Sequence, residues 1–136
     1  MGLGDLYVQV AETLKSTLES ITDFSEVNIG WKEQVDAFPS AFIIPRAVRI
    51  EATSPERSMY VFTFYIAVCV EKQDLVEGLK TTLNLLGKIN DKLIEDRTLG
   101  GVIHCLEIRE LSPAEKPSEY VRYWGGVEVE CWIVRV

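Results

Sequence analysis

The chain has 136 residues, 47% hydrophobic and 26% charged, with a formal net charge of −7. That length is enough for one domain with its own core, needing neither disulfide nor metal as a staple. The acidic balance, with 14 basic residues scattered along the chain, argues against a surface that neutralises nucleic-acid phosphates.

No apolar run approaches the roughly 20 residues of a bilayer span. MGLGDLYVQV has no basic region ahead of a long apolar stretch, so no secretory leader is expected. Cys69, Cys105 and Cys131 are odd in number, widely spaced and set in apolar runs. They read as three reduced core thiols, which fits a reducing cytoplasm.

The first predicted element is a helix capped by Asp5, with Leu6, Val10, Leu14 and Leu18 at four-residue intervals and Ala11 and Ile21 widening the stripe. Val27, Ile29 and Trp31 alternate with polar residues as a short strand. The segment AFPSAFIIPRAVRIEA is strand-forming, and Pro45 marks an edge, a bulge or a boundary. TSPERS (53–58) reads as a turn. In MYVFTFYIAVCVEK the even positions Tyr60 to Val70 are large and apolar, and the odd ones, Val61 to Cys69, mostly apolar too. A face open to water would alternate more sharply, so the second face is expected to be covered by the chain itself or by a neighbour.

A long helix is predicted from Asp74 to Asp96, its buried stripe running through Leu75, Leu79, Leu83, Leu86, Ile89 or Asn90, and Leu93. The Thr98-Leu99-Gly100-Gly101 break ends it. VIHCLEIREL (102–111) is a strand, 111–119 a polar loop, and YVRYWGGVEVECWIVRV completes the sheet, with Gly125 and Gly126 as a hairpin turn or bulge. Together these make an α+β domain: a mostly antiparallel mixed sheet with two helices packed on one face. On the other face Tyr65 and Trp132 stand beside Glu128 and Glu130, which reads as an interface.

The chemistry is thin. His104 is the only histidine, and its neighbour Cys105 points to the opposite face of a strand. A pairing of His104 with Cys69 or Cys131 across the sheet would be one route to a nucleophile or zinc site. Asp91, Glu95 and Asp96 cluster near a helix C-terminus, where Lys88, Lys92 and Arg97 can neutralise them. Glu128 and Glu130 share a strand face about 7 Å apart, which suits a solvated face better than an acid/base pair. Arg46, Arg49 and Arg57 near the central hairpin could meet an anion or an acidic partner. No nucleotide fingerprint, catalytic triad order or metal motif appears, so no catalytic residue, cofactor or metal is expected.

Several strings resemble the tail terminator and tail-completion proteins of tailed bacteriophages. They are the entry Phe38-Pro39-Ser40-Ala41-Phe42-Ile43-Ile44, the aromatic strand Tyr60 to Val70, the string Asp96-Arg97-Thr98-Leu99-Gly100-Gly101-Val102, and the closing strand Val127–Val136. The resemblance implies a homo-oligomeric, usually hexameric, ring that caps the tail tube and offers the head-tail connector proteins a surface. It implies partners in the tail tube protein and those connectors, no catalytic residues, and residence in the virion tail, with assembly in the host cytoplasm. DNA would pass through without specific binding, and an acidic lumen would discourage sticking. Loops 53–58 and 112–118 would touch the tube or a neighbouring subunit. The interface expectation therefore names Tyr65, Trp132, Glu128, Glu130, Arg49, Glu56, Arg57, Pro113 and Lys116. A neck or head-tail joining subunit is one alternative. A small-ligand-binding domain or enzyme is another, and would show a deep pocket holding His104 and a carboxylate.

Overall fold

Both periodicities appear as regular structure in a computed structural model that describes residues 2–113 and 121–135. The elements in chain order are α1 (Leu3–Glu19), β1 (Glu26–Ile29), β2 (Ser40–Thr53), β3 (Ser58–Glu71), α2 (Leu75–Glu95), β4 (Cys105–Pro113) and β5 (Arg122–Arg135). The five strands form a sheet in the order β1-β2-β3-β5-β4. β1 and β2 run parallel, and the other neighbours are antiparallel. This is the expected α+β class, a mixed and mostly antiparallel sheet with two helices.

The helices share one face. The even residues of β3 from Phe62 to Val70, together with Val127, Val129, Cys131 and Ile133 of β5, meet Val10, Leu14 and Leu18 of α1 and Leu86, Ile89 and Leu93 of α2 in the main core. α1 is capped at Gly2 rather than Asp5. Asp5 instead stands in the first turn, where its Oδ2 accepts from the Gly2 N–H at 3.1 Å and its charge suits the positive helix end. Asp74 caps α2 as predicted, its Oδ1 accepting from Glu77 N–H at 3.0 Å.

Several expectations need correction. Leu75 and Leu83 are 51% and 52% exposed, while the buried face of α2 is Gly78, Thr82, Leu85, Leu86, Ile89 and Leu93. Two close approaches set that rotation. A Cβ on Gly78 would lie within 2.5 Å of the Tyr123 ring, and one on Gly125 within 2.8 Å of Thr82 Cγ2. Gly125 and Gly126 therefore do not form a turn. They lie inside β5, and Gly126 leaves room for the Tyr65 ring, whose Cε1 would sit 2.6 Å from an added Cβ. Trp31 lies beyond β1, and residues 102–104 belong to the turn after α2. Leu99, Gly100 and Gly101 of that turn all have positive φ, which only the two glycines adopt without strain. Pro45 sits in β2 at a register shift, the bulge that its missing N–H predicts. Residues 54–57 close the β2–β3 hairpin, with Ser54 N–H donating to Arg57 O at 2.8 Å.

The parallel β1–β2 pair requires a crossover, and residues 30–39 make it over the face opposite the helices. Val35 is buried there with Phe42, Ala67 and Cys69, and Phe38 and Trp124 pack around them. Arg122 fastens the crossover, donating from Nη2 to Val35 O at 3.1 Å and lying 5.1 Å above the Phe38 ring. Among the described residues, a chain segment thus covers the second sheet face at one end only.

A candidate partner-binding face

Beyond the crossover no described segment crosses the second face, and the strand register decides which side chains meet on it. Val61 pairs with Trp132, Thr63 with Glu130 and Tyr65 with Glu128, while Arg49 of β2 stands opposite Val61 and Glu107 of β4 opposite Glu130. The sequence-predicted residues Tyr65, Trp132, Glu128, Glu130 and Arg49 are therefore brought together on one face.

Glu130 is the centre of this group. Only 8% exposed, it accepts from Arg109 Nε at 2.6 Å and from Arg49 Nη1 at 3.3 Å. Arg109 Nη2 also reaches Glu107 Oε2 at 2.7 Å, and Arg49 Nε bonds Glu51. These carboxylates push both guanidinium pKa values up, through the Glu51 hydrogen bond first for Arg49 and the Glu130 hydrogen bond first for Arg109. Two cations lie on aromatic rings: Arg46 is 4.6 Å from the Tyr65 centroid and Arg49 is 6.0 Å from that of Trp132. Burial raises the Tyr65 phenol, and Arg46 opposes that shift. The buried Trp132 Nε1–H has no hydrogen-bond partner among the described residues.

Toward the crossover the face becomes aromatic. Trp31 lies 5.9 Å from Phe42 and 5.9 Å from Trp124, centroid to centroid. With Tyr65, Ala67, Ser112 and Gly125, the two tryptophans line an open hollow of about 460 Å³.

The other predicted positions lie apart. Glu56 and Arg57 are at the exposed tip of the β2–β3 hairpin. Pro113 ends β4 opposite Gly125, and Lys116 lies outside the described residues. His104 is exposed just before β4, its N–H donating to Trp132 O at 2.8 Å. Among the described residues it meets neither Cys69 nor Cys131. Cys131 belongs to the helix-side core and Cys69 to the small core under the crossover, so the three do not converge. Burial pushes Cys69 up to about 11 and Cys131 up to about 12, the opposite of an activated thiol. Cys105 is half-buried rather than a core thiol.

The acidic cluster at the end of α2 has local partners. Lys92 lies 3.5 Å from Glu95, and Asp96 accepts from Thr98 Oγ1 at 2.9 Å and Gly100 N–H at 2.7 Å. Those hydrogen bonds, the Thr98 hydroxyl first, hold the Asp96 carboxyl below its usual range. Among the described residues, no group of three or more His, Cys, Asp or Glu side chains is placed to hold a metal ion, and no helix is long and apolar enough to cross a membrane.

Arg109, Trp31 and Trp124 were not anticipated at this face. Arg109 alternates with Glu107 on its strand, a weak sign of a shared face. Nothing in the sequence says that the crossover would lay Trp31 on Trp124, because that contact follows from the parallel pairing of β1.

No protein-family profile and no curated protein matches the sequence. A solved structure whose name states no function is similar, with a TM-score of 0.58 and 14% identity over 99% of this chain and 98% of its own. The likeness is one of fold.

Proposed function

We propose that the chain is a structural subunit of a phage or prophage tail, a ring former that caps the tail tube and gives the head-joining proteins a surface. The observation that supports it best is the open sheet face. Tyr65, Trp132, Arg46 and Arg49 are of the types that protein interfaces favour; Arg46 lies on the Tyr65 ring, and Arg49 and Arg109 are already paired with Glu130. A pre-paired face loses less on desolvation than isolated charges would. Among the described residues no nucleophile stands beside a base on it, so the geometry suits contact rather than turnover. A neck or head-tail joining subunit would use the same face on a different partner.

Light scattering after size-exclusion chromatography, over a concentration series and with negative-stain images, tests the reading. A closed ring with an open centre is the expected result, as is loss of tail-tube binding in Trp132→Ala. A monomer at every concentration that also fails to bind purified tail tubes overturns it.

The Trp31–Trp124 hollow favours a second reading, a site for a flat aromatic ligand. Saturable quenching of tryptophan fluorescence by a free purine base, lost in Trp31→Ala, would favour that reading over the ring.

A further inference from the structure

Apart from the face just described, exposed apolar side chains gather at the two ends of the sheet. A single cross-strand row runs Ile29, Ile43, Ile66, Val127, Leu111. Its three middle members are fully buried, while its ends, Ile29 and Leu111, are 40% and 43% exposed. The core row simply stops at solvent on both sides.

The helix layer behaves the same way. On α1 the flank turned away from α2 carries Val8 and Glu12, which with Tyr7, Ile29 and Pro45 line an apolar groove of about 340 Å³. On α2 the 100° step per residue puts Val76, Leu83, Asn90 and Ile94 on one line. The last two, with Arg97 and the β4 residues 106–111, line a hollow of about 510 Å³. That flank faces away from α1, which packs instead beside Lys92 and Glu95.

We infer that copies of this chain join head to tail, the α1–β1 flank of one seating on the α2–β4 flank of the next. The inference deepens the ring reading above and rests on it. Three observations favour a second copy as the occupant. Ile29 and Leu111 end the same row, so a neighbour set at the same height continues the apolar row without a step. Glu12 and Arg97 have no ion-pair or hydrogen-bond partner among the described residues, and they carry opposite charges on opposite flanks. Each also stands at one end of the same row, Glu12 lining a groove with Ile29 and Arg97 lining a hollow with Leu111. A head-to-tail contact is heterologous, and such contacts close into rings when the rotation per copy allows.

Strand-to-strand pairing is not the joint. The edge strand β1 has only four residues, β2 beyond it has register shifts after Pro45 and Ile50, and β4 has one after Ile108. Proline and bulges of this kind blunt an edge against continuous backbone pairing. Side-chain packing of α1 on the α2 flank remains.

The test is complementation with Ile29→Asp and Leu111→Asp, both at exposed positions, with circular dichroism to confirm folding. Each variant alone should lose at least about tenfold in self-association, because the seam would bury an unpaired carboxylate. Mixed together they should give a discrete one-to-one dimer, since each keeps one sound end. Glu12→Arg and Arg97→Glu should likewise weaken assembly singly and restore it when mixed. If either Asp variant still forms the wild-type oligomer, the ends are not the joint, although the ring reading survives. If wild-type protein is monomeric at all concentrations, head-to-tail joining is wrong, and the ring reading then stands or falls on tail-tube binding.

Discussion

Two glycines on α2 should respond to alanine with opposite signs. Gly87 has nothing within 4 Å of an added Cβ, whereas Gly78 faces the buried Tyr123 ring. In an open helical position Gly→Ala gains about 1 kcal/mol, since alanine lacks glycine's backbone-entropy cost. Gly87→Ala should therefore stabilise the monomer by up to that amount. At Gly78 the same gain meets a methyl group within 2.5 Å of Tyr123 Cδ2 and Cζ. Neither partner can swing aside, because Tyr123 is 2% exposed and Gly78 is backbone of a packed helix. Overpacking of this kind costs about 1–3 kcal/mol, and rigid partners on both sides put it near the top. The net is about 2 kcal/mol of destabilisation. For a chain of this length that is a Tm about 6–8 °C lower for Gly78→Ala and about 3–4 °C higher for Gly87→Ala. Urea unfolding followed by circular dichroism, at concentrations where the protein is monomeric, reads both. Adding Tyr123→Leu should abolish most of the Gly78→Ala penalty, with a coupling of at least about 1 kcal/mol in the double-mutant cycle. If both alanine variants are equally stabilised, α2 does not lie this close to β5, and its outward flank cannot hold Val76, Leu83 and Ile94 as assigned.

Two further predictions concern the sheet. Glu130→Ala leaves Arg49 and Arg109 facing each other without their shared carboxylate; since both guanidinium groups stay half in water, the cost should be nearer about 1 kcal/mol than the about 3–5 kcal/mol of a fully buried pair. An unchanged urea midpoint would show that the ion pairs contribute nothing. Cys131 should resist a thiol reagent at pH 8 in the folded protein while half-buried Cys105 reacts first, and mass spectrometry of the labelled peptides shows the order. Because its folded pKa, about 12, lies above the ordinary value of 9.0, only the unfolded chain ionises between the two. That stabilisation is intact below about pH 9 and lost progressively up to about pH 12. Cys131→Ala, measured against wild type, should flatten the alkaline decline, and identical declines would refute the assignment.

Much of the fold was legible because periodicity records burial. The even residues of β3 and the Val10-Leu14-Leu18 stripe of α1 could face only a core, and Asp74 and the 53–58 turn are local signals needing no tertiary context. Errors arose where a close approach outranks the local pattern. Gly125-Gly126 has the composition of a turn, but the pair serves to admit Thr82 and Tyr65, whose proximity is a property of the assembled sheet. The face residues were legible one by one, since Tyr65, Trp132, Glu128 and Glu130 alternate on their strands. That Glu130 would be claimed by Arg109 of β4 was not, because pairing partners follow from strand order.

The misplacement of Leu83 has a physical lesson. Helix α2 carries more apolar residues than one face can bury, and a periodicity argument treats any apolar residue at helical spacing as core. Leu79 and Leu86 lie toward the core at that spacing, and Leu83 between them does not, because Gly78 and Thr82 pull the helix round toward Tyr123 and Gly125. Retaining Val76, Leu83 and Ile94 in water has a solvation cost to a monomer and none to a subunit whose next copy covers them. On this reading the surplus apolar flank of α2 and the unfinished row from Ile29 to Leu111 are one feature, a core that is completed between chains rather than within one.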